Sequence, residues 1–323
     1  MTHGGGLFIL PEAGQPAKSA KLRRRGGSGF AQRRAGRRER RVTTVQDTKP
    51  AGLFVTDFDG TLVRSDGTVS EQDRRALSGL RDKGILRVVA TGRSLYSLQR
   101  SSGGDLPVDY VVFSCGAGIL DAGRKRVIRK ASLSAEEVDR VVRLLDTLEL
   151  DFMVHREIPL NHFFRYRRTG RHNPDFDRRI ALYRPFSGPL DGSATHGPAC
   201  QVLAVLAAGR QEIFEQIRRR LAGLSVIRTT SPLDHRSIWV EIFAAGVSKS
   251  RAVCWLCDEL GIHRERVMAV GNDYNDLDLL EWAAQGIVVA NAPADMRRRF
   301  QTVSSHDRCG VAEAISLCRL WDG

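Results

Sequence analysis

The feature that most constrains this chain is the run Asp57-Phe58-Asp59-Gly60-Thr61, which stands directly after the apolar stretch Leu53-Phe54-Val55-Thr56. A short, unbroken apolar run bounded by turn residues marks a strand buried on both faces, as in a parallel sheet. Open α/β sheets carry their chemistry just beyond the C-terminal ends of such strands. Two carboxylates at a strand tip can attack phosphorus, hold or donate a proton, and grip a divalent cation. Taken alone, the same residues also fit an acidic turn with Gly60 at the bend, so the rest of the chain has to decide.

The parallel pattern recurs. A helix is expected from about Ser70, with Asp73 at its third position and Ala76, Leu77 and Leu80 on one face, closing at Gly84. A second buried strand, Ile85 to Ala90, ends at Thr91-Gly92-Arg93, and a third, Tyr110 to Phe113, ends at Ser114-Cys115-Gly116-Ala117-Gly118. Strand, helix and strand at this spacing predict a right-handed parallel crossover. The middle of the chain then changes character. Ser134 and Glu137 cap a helix with Val138, Val141, Val142, Leu145 and Leu148 on its apolar face, followed by a strand over 152–155. Residues 161–197 are irregular and dense in Arg, His and Pro; strands over 201–207, 225–229 and 238–243 and a helix over 211–221 complete an α+β segment. Afterwards Lys249 to Leu260 reads as a helix ending at Gly261, and strands over 267–270 and 287–290 follow, the first ending at Gly271-Asn272-Asp273. The fold class is therefore α/β: a doubly wound, Rossmann-like parallel sheet formed by 49–123 and 241–323, interrupted by an inserted α+β domain over 124–240.

Charge is unevenly distributed. Of the net +13, residues 1–50 contribute +9, with twelve Lys and Arg against Glu12, Glu39 and Asp47. Residues 1–48 are expected to be a disordered basic tail, whose arginines allow a sequence-independent polyanion contact but equally suit a solvated arm without a role. The apolar cluster Leu7 to Leu10 is too short to cross a membrane, so no membrane partner is expected. Six scattered cysteines read as reduced thiols of a cytoplasmic protein, with Cys254 and Cys257 packing inside the helix that contains them.

The four ordered clusters, Asp57-Phe58-Asp59-Gly60-Thr61, Thr91-Gly92-Arg93, Lys249 within Gly246 to Ser250, and Gly271-Asn272-Asp273-Tyr274-Asn275-Asp276, resemble the four motifs of the haloacid dehalogenase superfamily. The long insert resembles its Cof-type, type IIB cap branch, and the similarity covers about residues 51–320. The resemblance implies a Mg²⁺-dependent phosphomonoester hydrolase that forms an aspartyl-phosphate on small phosphorylated metabolites such as sugar phosphates. A phosphotransferase or phosphomutase on the same core, and a non-catalytic nucleic-acid-binding protein using the basic tail, are the alternatives. It further implies that Asp57 is the nucleophile, Asp59 the general acid and base, and Lys249 the charge neutraliser. Thr91, Gly92 and Asn275 would hold the phosphoryl oxygens, and Thr61 would steady the first loop. Mg²⁺ would sit on the Asp57 carboxylate, the Asp59 carbonyl and the fourth motif. There Asn272 stands where the family commonly has Asp, so either Asn272 or Asp273 supplies the third ligand, and Asp276 holds a metal-bound water or orients Lys249. Cys115 replaces an Asn that many relatives carry. In the cap, Arg165, Arg167 and Arg168, with Arg171 and His172, form the densest basic cluster outside the tail and could reach a second anionic group; a solvated loop is the plainer reading. His155 and His162 are expected to be packing or surface residues.

Overall fold

The computed structural model describes residues 49–101, 106–192 and 196–321, so the expected tail over 1–48 lies outside the described residues. Among these, an eight-stranded sheet runs in the order Gln301–Val303, Gln285–Val289, Val267–Gly271, Gly52–Thr56, Ile85–Ala90, Tyr110–Phe113, Gly118–Asp121 and Arg126–Lys130. The first six strands are parallel and the last two form an antiparallel margin. Gly52–Thr56 is central, with all five residues buried between Ile85–Ala90 on one side and Val267–Gly271 on the other. Strand alternation sends Phe54 to one core, with Leu77, Val89, Val111 and Val311, and Leu53 and Val55 to the other, with Val88, Val112, Val253 and Leu256. Each such fully buried side chain contributes about 1.5–3 kcal/mol relative to exposure, which explains why the strand reads as a continuous apolar run.

The insert is a second unit built on a six-stranded sheet in the order Ser225–Thr230, Ile238–Phe243, Gln201–Leu206, Phe152–His155, Phe164–Arg167 and Ser187–Pro189. Helices Ala135–Thr147 and Gln211–Arg220 cover one face through Val138, Val141, Leu145, Phe214 and Ile217, and the first of them carries the expected capping box of Ser134 and Glu137. The other face carries Met153, Phe164, Leu203 and Trp239, packed against Phe176.

Three expectations are corrected. The insert begins later than 124, because Arg126–Lys130 hydrogen-bonds to Gly118–Asp121 in the core sheet, and it ends later than 240, because Ile238–Phe243 is a single cap strand. The helix after Ser70 spans Glu71–Gly79 and stops five residues before Gly84, whose left-handed φ of 69° serves the turn into the next strand. The segment 161–197 contains a helix, Pro174–Leu182, capped by the Asn173 side chain on the Phe176 N–H with Pro174 at the first position.

One close approach positions the helix that follows the insert. Gly116, at φ 101°, leaves a gap so narrow that an added Cβ would lie 2.2 Å from the carbonyl oxygen of Ser248, the N-cap of helix Lys249–Leu260. Gly116→Ala therefore combines an unfavourable φ with a backbone collision and is expected to cost more than about 1 kcal/mol. Thermal denaturation should show a fall of at least about 2–4 °C, and an unshifted transition would contradict this reading of the contact.

Candidate active site

The site forms where the strand order reverses, beside the C-terminal end of Gly52–Thr56. Asp57 continues that strand, with its N–H on the Val270 carbonyl, and Gly60 makes the turn at φ 69° while its carbonyl accepts from Asn291 Nδ2 at 2.8 Å. Lys249, at the first turn of its helix, is fully enclosed and reaches Asp57 Oδ1 at 2.7 Å and Asp276 Oδ1 at 2.5 Å. Burial alone would push the Lys249 ammonium down, but Asp276 and Asp57 outweigh it and hold it above the usual lysine range. Asp57 moves the other way: burial, then the charge of Asp276, push its carboxyl up to about 8 despite Lys249.

Asp276 fixes the fourth motif. Its Oδ2 accepts from the N–H groups of Asn272 and Asp273 at 2.9 and 3.1 Å, and Gly271 is required there because a Cβ would fall 2.6 Å from the Asp276 carboxylate. Asp276 thus accepts from Lys249 through one oxygen and from the loop backbone through the other, which orients Lys249. Asp273 is also diverted. Its carboxylate accepts from the Thr230 N–H at 2.9 Å and the Thr230 hydroxyl at 3.1 Å, tying the loop to the cap instead of facing Asp57.

Asn272 is the residue of this loop that stands beside Asp57. One amide heavy atom lies 3.2 Å from Asp57 Oδ2, 3.0 Å from the Asp59 carbonyl oxygen and 3.0 Å from Thr61 Oγ1. With nitrogen at that position, its two N–H groups have these three oxygens as acceptors within reach. With oxygen there, the Asn272 oxygen lies 3.2 and 3.0 Å from the Asp57 carboxylate and the Asp59 carbonyl, near the spacing of about 3 Å that adjacent ligands take around a small octahedral cation. The oxygen-only donor set and this spacing fit a hard divalent cation.

Of the phosphate-binding candidates, Gly92 and Asn275 line the cavity above Asp57, whereas Thr91 is buried beneath it with its Oγ1 accepting from the Arg93 N–H at 3.1 Å. Asp59 is gripped by the Arg93 fork, through Nε and Nη2 at 2.7 Å each. Proton transfer to a leaving group would require Asp59 to turn from that fork.

The cap encloses a cavity of about 950 Å³ that contains Asp57, Asp59 and Asn275 on the core side. Arg165, Arg167 and Arg168 do not line it. Arg167 and Arg168 pair with Asp146 and Asp177, and Arg165 lines a separate recess; alternation along Phe164–Arg167 puts Arg165 and Arg167 on the face opposite Phe164 and Tyr166. Arg179 and Glu241, which sequence reasoning missed, line the cavity instead. The signals were present: Asn173-Pro174 marks a helix start that places Arg179, and Glu241 interrupts the apolar strand Ile238–Phe243. Glu241 accepts from Thr229 Oγ1 at 2.9 Å and from the Cys115 thiol at 3.5 Å, and burial pushes its carboxyl up. His155 is buried as expected and also borders the cavity, its Nδ1–H donating to the Asn161 carbonyl at 2.8 Å.

The sequence matches the family of haloacid dehalogenase-like hydrolases over residues 54–315. The chain belongs to that family. Among similar proteins, a putative phosphatase, YxeH, of Bacillus subtilis (strain 168) is 29% identical over 282 residues, covering 81% of this chain and 96% of that protein. The 5-amino-6-(5-phospho-D-ribitylamino)uracil phosphatase YitU of the same organism is 28% identical, covering 83% and 97%. A solved subclass IIB sugar phosphatase, BT4131, superposes with a TM-score of 0.65 at 19% identity, covering 82% of this chain and 98% of that one, a likeness of fold. The core of this hydrolase and its inserted cap follow the subclass IIB arrangement. No helix among the described residues is long and apolar enough to cross a membrane.

The Asn272 geometry yields a measurable consequence. In Asn272→Asp, three oxygens meet without an N–H and a like charge is added beside Asp57, so the protein should melt below wild type in EDTA. Its melting temperature should rise more than that of wild type on adding millimolar MgCl₂, since a carboxylate is the better hard-cation ligand. Equal increments for the two proteins would remove Asn272 from the cation site.

Proposed function

We propose that this hydrolase is a Mg²⁺-dependent phosphomonoesterase that works through an aspartyl-phosphate on small phosphorylated metabolites, sugar phosphates foremost. The observation that carries the reading is the Asp57 carboxylate at the floor of the cap-covered cavity, hydrogen-bonded to an enclosed Lys249 and within the same cavity as Asp59. The relatives named as phosphatases and the sugar phosphatase of like fold support it.

An Asp57 carboxylate oxygen attacks phosphorus and the ester oxygen departs, taking a proton from Asp59 once that residue has turned from Arg93 and gained a proton from solvent or from the substrate phosphoryl group. Lys249 offsets the negative charge that gathers on Asp57 and the transferring phosphoryl group. The Gly92 N–H and Asn275 steady the phosphoryl oxygens. Asp59, now ionised, accepts a proton from the water that attacks phosphorus, which releases inorganic phosphate and restores Asp57. Asp57, the Asp59 carbonyl and Asn272 would hold Mg²⁺, which supplies Lewis-acid neutralisation of a phosphoryl oxygen and favours the ionised form of Asp57. The cap excludes bulk water from the cavity during the first step.

Asp57→Asn should lower turnover by about a thousandfold or more, with folding monitored separately. With wild type in heavy-oxygen water, a single turnover should place the label in inorganic phosphate. Activity that survives the substitution would sink the covalent route. A labelled-phosphate yield near zero, with a phosphorylated second metabolite as product, would reassign the protein as a transferase.

A further inference from the structure

The cavity holds a cation that the catalytic steps above do not use. Arg179 sits on helix Pro174–Leu182, which is anchored in the cap by Phe176 and Ile180, and it lines the same cavity as Asp57 and Asp59. Its guanidinium lies over the Trp239 ring, 4.4 Å from the centroid, and 5.3 Å from that of Tyr183. Aromatic contact on the planar faces fixes orientation and leaves the hydrogen-bonding edge to be satisfied. Among the described residues no carboxylate pairs with it, and its Nε is buried without a partner.

The neighbouring acids are already engaged. Asp175 accepts from Ser231 Oγ and Trp239 Nε1, at 2.8 and 2.7 Å, and Glu241 accepts from Thr229 and Cys115. Burial pushes the Arg179 guanidinium below its usual range, outweighing the opposing influence of Tyr183, Glu241 and Asp175, and nearby Arg93 acts in the same direction as burial. Arg87, by contrast, is buried against Asp109, which accepts from its Nε and Nη2. A fixed, desolvated and unmatched guanidinium facing a cavity is a receptor for an anionic oxygen.

We propose that Arg179 forms an anion subsite and that the preferred substrates, on the phosphatase reading given above, are phosphomonoesters bearing a second anionic oxyacid group, carboxylate or phosphate, on the portion enclosed by the cap. The subsite explains why the cap arginines found by sequence density, Arg167 and Arg168, are unnecessary for this role: their charges are matched within the cap. A neutral sugar end would leave Arg179 unmatched and gain nothing from it.

The test compares glucose 6-phosphate, 6-phosphogluconate and glucose 1,6-bisphosphate on the full chain. These share a phosphorylated hexose frame and differ in whether a further group is neutral, carboxylate or phosphate. Wild type should favour at least one charged probe by about tenfold in kcat/KM over glucose 6-phosphate, the scale of one charge-assisted hydrogen bond. Arg179→Gln should abolish that ratio and Arg179→Lys should retain part of it. Because each ratio is read on one preparation, a reduced folded fraction cancels. The charged probe that responds identifies carboxylate or phosphate as the group recognised. A ratio near one in wild type, or one unchanged in Arg179→Gln, overturns the subsite. Calorimetric dissociation constants in EDTA separate the two readings: tighter binding of a charged probe, lost in Arg179→Gln, upholds the subsite even where no probe is hydrolysed. Hydrolysis of glucose 6-phosphate with equal binding of all three sinks the subsite alone.

Discussion

An ammonium enclosed between two carboxylates governs this structure. Lys249 joins the tip of the central strand to the loop after Val267–Gly271, across sequence separations of 192 and 27 residues. Removing three charges from water is costly, and their mutual attraction offsets that cost only where geometry is tight and the remaining lone pairs are satisfied. Two backbone N–H groups meet this need at Asp276. Among the described residues Asp57 is in reach of no more than the Asn272 amide besides Lys249, and two carboxylates face one ammonium. Burial first, and then this imbalance, push the Asp57 carboxyl upward. They leave a carboxyl that a cation returns to its ionised form, which is the form a nucleophile requires.

The surrounding packing serves this cluster. Parallel pairing of Leu53 to Thr56 with Val267 to Val270 sets the two motif-bearing strand ends side by side. Gly116 lets the turn after Tyr110–Phe113 lie against the Ser248 carbonyl, which settles the start of the Lys249 helix, and Gly271 admits the Asp276 carboxylate. These are close approaches of backbone, where a single methyl group has no space. Elsewhere the two apolar cores need only side chains of suitable size and shape.

That distinction explains what the sequence conveyed. Strand Ile85–Ala90 and helix Lys249–Leu260 with its Gly261 terminus follow directly from periodicity and capping chemistry, because local preference and burial agree there. The core motifs were legible because each occupies a few consecutive residues at a strand end. The cap was harder to read. Its cavity face is assembled from single side chains on different elements, Arg179 from a nine-residue helix and Glu241 from one strand, and no local run announces their meeting. Density of charge misled for the same reason: Arg167 and Arg168 are numerous neighbours in sequence but find Asp146 and Asp177, partners that only the folded cap brings near. The core–insert boundary was placed too early because the hairpin Gly118–Asp121 and Arg126–Lys130 is short and only half-buried on its second strand.

The loop Asn272 to Asp276 connects these parts more closely than its length suggests. Asn272 faces Asp57 and the cation position, Asp273 is held by Thr230 of the cap, and Asp276 holds Lys249. Because Asp276 also binds the N–H groups of Asn272 and Asp273, the three residues are braced to one another. A displacement of the cap that pulls on Asp273 therefore bears on the residue beside Asp57. Cap position and the surroundings of Asp57 are joined through five residues, and an amide at position 272 suits this arrangement without a cation. Its nitrogen can face Asp57 without the repulsion that a third carboxylate would introduce.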